Sequence, residues 1–167
     1  MAVQVALEKV KKPLMNCFDE TFSSVHGIYL DKGATLFETL AGVSAHEASQ
    51  SVGPGTATVA AQVDHLRLYL DVLDDYIHTS QNPKINWREI WETVREVSPE
   101  QWEKIKQDLR DSYDKVKTTL NSFEDWNGQN DVGGALAIVV HSAYHLGGIR
   151  HALAGIRANT KATGHAQ

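Results

Sequence analysis

Ala135-Leu136-Ala137-Ile138-Val139-Val140-His141-Ser142-Ala143-Tyr144-His145-Leu146-Gly147-Gly148-Ile149-Arg150 is the most apolar run of this chain, and it carries two histidines four positions apart. In a helix that spacing puts both rings on one face, about 40° apart around the axis. Two imidazoles so placed can close on one metal ion, as i, i+4 histidines do in helical zinc sites. The run reads as one wall of an α-helical bundle, with His65 of an earlier helix as the proposed third ligand.

Spacing alone does not decide the matter. The chain holds eight histidines, and at that density a chance i, i+4 pair arises in about one such chain in three. Context adds more. On a helical wheel His141 and His145 share a face with Gly134, Ala137, Ile138, Gly148 and Ala152, mostly small residues that let neighbouring backbones approach. Arg150 lies on the opposite face, where its charge meets water. The two histidines therefore point inward, and neutral imidazoles away from water need partners. A metal ion is one such partner; a hydrogen-bonded core network is the other.

Working outward, the other long segments are helical too. Val3, Leu7, Val10, Leu14, Cys17, Phe18 and Thr21 recur at helical spacing, which predicts a first helix over residues 3–25. Pro13 kinks it or starts its main part, and Gly27 is placed to close it. Thr35 to Leu40 reads as a short helical piece. Ser44 to Gly55, ending in Gly53-Pro54-Gly55, reads as a surface connection. Its His46 has no role.

Thr56 to His78 is the second long helix, N-capped by Thr56 or Thr58. Its core stripe is Val59, Val63, Leu66, Leu70, Leu73 and Ile77, and Asp64, Arg67, Asp71, Asp74 and Asp75 form its wet side. His65 sits between these faces. That position suits a ligand at the rim of a cleft, and equally a half-buried histidine with no task.

Gln81 to Val97 is a connection whose Trp87 and Trp91 suggest a strap packed across the bundle, with one of them free to face a ligand. Ser98-Pro99-Glu100-Gln101 starts the third long helix with an N-cap, a proline at the first helical position and a capping box. Trp102, Ile105, Leu109, Tyr113, Val116 and Leu120 follow at helical spacing. Asn121 to Asn130 is a polar loop around Trp126. Asp131 can cap the last helix, which is expected to end near Asn159.

The fold expectation is all-α: a four-helix bundle with a crossover between the first two long helices. Residues 1–159 form a single domain, and 160–167 a polar tail that frays. At 167 residues, 42% apolar and 22% charged, one domain with a sizeable core is the default. The net charge of −5 argues against a nucleic-acid surface, which needs clustered Lys and Arg. Cys17, the single cysteine, makes no internal disulfide and no cysteine zinc motif. No signal peptide is evident and no apolar run looks long enough to span a bilayer, so a cytoplasmic protein is expected by elimination.

Three neutral histidines with open coordination positions suit zinc, nickel or iron(II), without choosing among them. Ser142 follows His141, so the metalloprotease pattern with its glutamate base is missing. No Glu-x-x-His occurs, so a ferritin-type di-iron site has no support. No general base stands out; Asp64, Gln62 and Tyr144 are only neighbours.

The phrase His141 to Arg150, with Val63-Asp64-His65-Leu66-Arg67 on the earlier helix, resembles the DinB/YfiT-like superfamily. The order of features is also similar: Gly-Pro-Gly-Thr before the second long helix, a Trp-rich connection, then a Trp-containing helix. The resemblance runs from the first helix through Arg150. It implies a four-helix bundle in which one histidine of the second helix and two of the last bind a divalent metal; carried over, these are His65, His141 and His145. Many members have a further histidine where this chain has Gln62. Some relatives are thiol-dependent transferases or isomerases, and many have no assigned activity. The resemblance thus implies a metal-dependent thiol S-transferase or hydrolase acting on a small thiol or electrophile. Its counterpart is a non-catalytic metal-binding or stress-response protein with a structural or vestigial site. A homodimer is implied as well.

Overall fold

The computed structural model describes residues 7–81, 83–126 and 131–164. Among them are seven helices and no strand: α1 (Leu7–Phe22), α2 (Leu36–Ala41), α3 (Ala45–Ala48), α4 (Val59–Thr79), α5 (Trp87–Thr93), α6 (Pro99–Ser122) and α7 (Asp131–Gly164). The all-α class is what the apolar spacing demands. The long helices bury their stripes against one another: α4 packs on both α6 and α7, and α1 on α7. Aromatic rings link α1 to α6, with Tyr113 stacked 5.0 Å from Phe22 and 5.2 Å from Phe18.

Capping sets the starts. Ser98 accepts from the Gln101 amide and Gln101 returns the bond, with Pro99 at the first position of α6. Thr58, not Thr56, caps α4 by accepting from the Ala61 amide. Thr35–Glu38 and Ser44–Glu47 make two more capping boxes. The second of these starts α3 inside the stretch expected to be plain connection. Four residues are too few to show a period, but Ala48 is fully buried and needs that turn to reach the core.

The first helix ends three residues earlier than its spacing suggests. The amides of Ser23 and Ser24 both donate to the Asp19 carbonyl, and the chain then wraps around Glu20. That carboxylate is fully buried and accepts from the backbone N–H groups of His26, Ile28, Tyr29 and Leu30. Gly27, at φ 74°, bends this loop instead of capping the helix. Residues 3–6 lie outside the described chain.

Asp74 is a second correction. The wheel puts it on the wet side of α4, yet it is 1% exposed. Thr119 of α6 donates to its Oδ1 at 2.6 Å and Lys115 pairs with its Oδ2 at 3.0 Å. Proximity of α6, which no local pattern reveals, supplies the partners a buried carboxylate requires.

α7 runs to Gly164, so residues 160–164 of the expected tail are helical; 127–130 and 165–167 lie outside the described chain. α7 also differs from the expectation about bilayer length. By length and composition, Val132–Ala162 is long and apolar enough to cross a membrane, at a mean hydropathy of 1.4, although 39% of that window is buried. Its Val132, Leu136, Val140 and Tyr144, each four residues apart, are exposed.

Candidate metal centre

α4 faces α5, α6 and α7 at once, so His65 has little access to water and is 7% exposed, deeper than a boundary position implies. α7 brings His145, also buried, and the half-buried His141. Ile138 and Ala152 on their face enter the core, while Ala137 and Gly148 are exposed. The histidine face therefore lies where the core meets the surface. The ring centroids are 4.5 Å apart for His141 and His145, 4.8 Å for His65 and His145, and 5.5 Å for His65 and His141. One nitrogen from each ring lies within 4.8 Å of the others. The three residues named from the sequence are thus brought together.

Two of these nitrogens are conspicuous. His65 Nδ1 and His141 Nε2 are shielded from solvent and have no hydrogen-bond partner. A buried polar atom left unpaired costs about 1–3 kcal/mol, so a core network is not what holds these rings. The protonation state agrees. Burial, with the neighbouring His141 adding, pushes the pKa values of both His65 and His145 down to about 4. Burial lowers that of His141 too. The rings are neutral near pH 7, the form in which imidazole offers a lone pair to a metal.

The donor set therefore fits a divalent ion. With bonds of 2.0–2.1 Å, three nitrogens on a tetrahedral zinc lie about 3.3 Å apart. Side-chain rotations moving each pair together by up to about 1.5 Å would reach that geometry. Among the described histidines, cysteines and acids, only these three form such a group. Asp64 turns away and accepts from Arg67 at 2.6 Å, which Asp71 also engages at 2.8 Å. Gln62 lies against α7, its Oε1 3.2 Å from where a side-chain carbon on Gly148 would sit.

Aromatic rings surround these histidines more closely than a strap across the bundle implies. Tyr69 stacks on His141 at 3.6 Å with 21° between the rings. Trp91 lies 4.4 Å from His65, and Trp87 meets the same imidazole edge-on at 5.3 Å. Both tryptophans come from α5, a short amphipathic helix that buries Ile90 and exposes Arg88, Glu89 and Glu92. The strap is fastened at its C-terminal end, where Thr58 donates to the Val94 carbonyl at 3.0 Å and the Val97 amide donates to Ser49. A signal was present in the sequence. His65/Tyr69, Trp87/Trp91 and His141/His145 are three aromatic pairs at i, i+4, one on each of three helices.

Comparison with protein-family models, with curated proteins and with solved structures finds no match for this chain.

Proposed function

We propose that this protein binds one divalent metal ion through His65, His141 and His145, with zinc, nickel or iron(II) as the candidates, and uses it in a metal-dependent thiol S-transferase or hydrolase reaction on a small thiol or electrophile. The observation that carries this reading is the set of three neutral imidazoles converging with nitrogens that no protein group satisfies. A divalent ion held there supplies the charge that lowers the pKa of a thiol or water beside it. The chain's own residues hold the donors neutral by burial, fix His141 by the Tyr69 stack and keep bulk water from His65 with Trp87 and Trp91. Asp64, committed to Arg67, does not serve as the base in this reading.

The arrangement of α1, α4, α6 and α7, with α2 and α3 in the connection from α1 to α4, supports reading the fold as a DinB/YfiT-like four-helix bundle with a crossover. The exposed row Val132, Leu136, Val140 and Tyr144 supports a homodimer. A sedimentation mass of two chains is the expected result, and a mass of one overturns it.

A second reading, a structural or sensory metal without catalysis, is favoured by one observation. The donor atoms His65 Nδ1 and His141 Nε2 are closed off from solvent. Metal analysis of the purified protein and of His141→Ala tests what both readings share: one equivalent is expected in the first and little in the second, and equal content in both removes the site. A screen of low-molecular-weight thiols with electrophiles then separates them, since turnover supports the enzyme and its absence with metal bound supports the holding site.

A further inference from the structure

Six rings close a circuit around the proposed metal position. His141 stacks on Tyr69; Tyr69 lies 6.2 Å from Trp87; Trp87 meets His65; His65 meets Trp91; Trp91 lies 6.4 Å from His145 at 21°; and His145 returns to His141. Tyr69, Trp87 and Trp91 are each half-buried, not sealed in the core. The arginines on the same stretches of α4 and α5 are already paired, Arg67 with Asp64 and Asp71, and Arg88 with Glu92.

We infer that Trp87 and Trp91 of α5 form a recognition wall for the body of the ligand, and that the ligand class is a compound with one metal-seeking acidic head and a flat, uncharged, apolar body. This rests on the metal-binding reading. The reasoning is one of complementarity. A metal ion takes a single anionic head such as a thiolate or hydroxamate. The surroundings then offer aromatic faces, and the arginines on α4 and α5 are already paired, which favours stacking over a second charged group. The wall also explains why α5 presents its tryptophans four residues apart over His65 while its charged residues face water.

The test uses the full chain loaded with Co²⁺, and the probes are benzohydroxamate and acetohydroxamate, which share a head and differ in the body. Binding is read from the cobalt visible spectrum. Wild type is expected to prefer benzohydroxamate by about tenfold, the worth of one good aromatic contact with its buried area. Trp91→Leu keeps apolar volume without a ring face. It should lose most of that preference while acetohydroxamate binding and cobalt content stay within about twofold. Trp91→Phe should retain the preference. If Trp91 only packs, Leu and Phe behave alike, and that result overturns the inference, as does a wild type without preference. Failure of wild type to take up cobalt overturns the metal reading and this inference with it. Normal cobalt uptake with an unchanged probe ratio overturns the inference alone.

Discussion

Glu20 and His65 are both buried polar side chains on core helices, yet the chain answers one and leaves the other unanswered. Four backbone amides converge on the Glu20 carboxylate. Burial works to raise its pKa, but those donors outweigh it and hold the value down to about 2. Nothing in the protein donates to or accepts from His65 Nδ1. The difference teaches that the first cluster is complete as folded, while the second keeps unpaired nitrogens that the proposed metal would engage.

The largest expected effect separates them by stability. Glu20→Gln places an amide N–H among donors that need an acceptor, and it should destabilise the fold by about 4 kcal/mol in urea denaturation. Metal affinity should stay within about twofold. His145→Ala should do the reverse. It removes one of three donors and lowers metal affinity more than about a hundredfold by competition with a chelator. The metal-free protein should lose only about 1–2 kcal/mol, the packing of one ring where the core meets the surface. Equal stability losses in both variants would erase the contrast.

Acid titration of the metal-free protein sharpens the same comparison. His65 and His145 have folded pKa values of about 4 against an ordinary 6.5. Below pH 6.5 the unfolded chain therefore takes up protons that the folded chain refuses, and stability is lost as pH falls from about 6.5 to 4. Glu20 contributes stability that is complete above its ordinary 4.5 and is lost as pH falls toward 2. Two successive windows are expected in the midpoint of denaturation against pH. A double variant, His65→Ala with His145→Ala, should flatten the upper window and spare the lower, and Glu20→Gln should do the opposite. A single acid transition unaffected by the histidine changes would count against burial as the cause.

How much of this was legible in the sequence follows the same division. The α7 pair could be named because i, i+4 spacing is local; His65 sits at a boundary position on α4, and the resemblance of Val63-Asp64-His65-Leu66-Arg67, not a spacing, singled it out. The start of α6 was legible from Ser98 and that of α4 to within Thr56 or Thr58, because such caps act within three residues; Thr58 is the one that caps. Glu20 and Asp74 were not legible, since their partners lie six or more residues away in a loop or on another helix. Nor was α3, whose Ser44–Glu47 box was the one available cue in a stretch too short for periodicity. The tryptophans of α5 fell between these cases. Their pairing was visible, but which helix they would lean on was not.

The smallest effect concerns two adjacent glycines of α7, Gly147 and Gly148, of which Gly148 shares the histidine face. A side-chain carbon at Gly147 would meet nothing within 4 Å, while one at Gly148 would come 3.2 Å from Gln62 Oε1. Both are exposed in the helix interior, where replacing glycine by alanine gains up to about 1 kcal/mol through propensity alone. Gly147→Ala should therefore raise stability by about 0.8 kcal/mol. Gly148→Ala should gain about half as much, because Gln62 must shift, and the end of a flexible side chain gives way at little cost. Neither should alter metal affinity, since the donor atoms come from histidines whose rings these methyl groups do not approach. A loss of metal affinity in Gly148→Ala without loss in Gly147→Ala would instead place the Gln62 amide among the groups that hold the metal. The unanswered cluster would then extend one helical turn beyond His145.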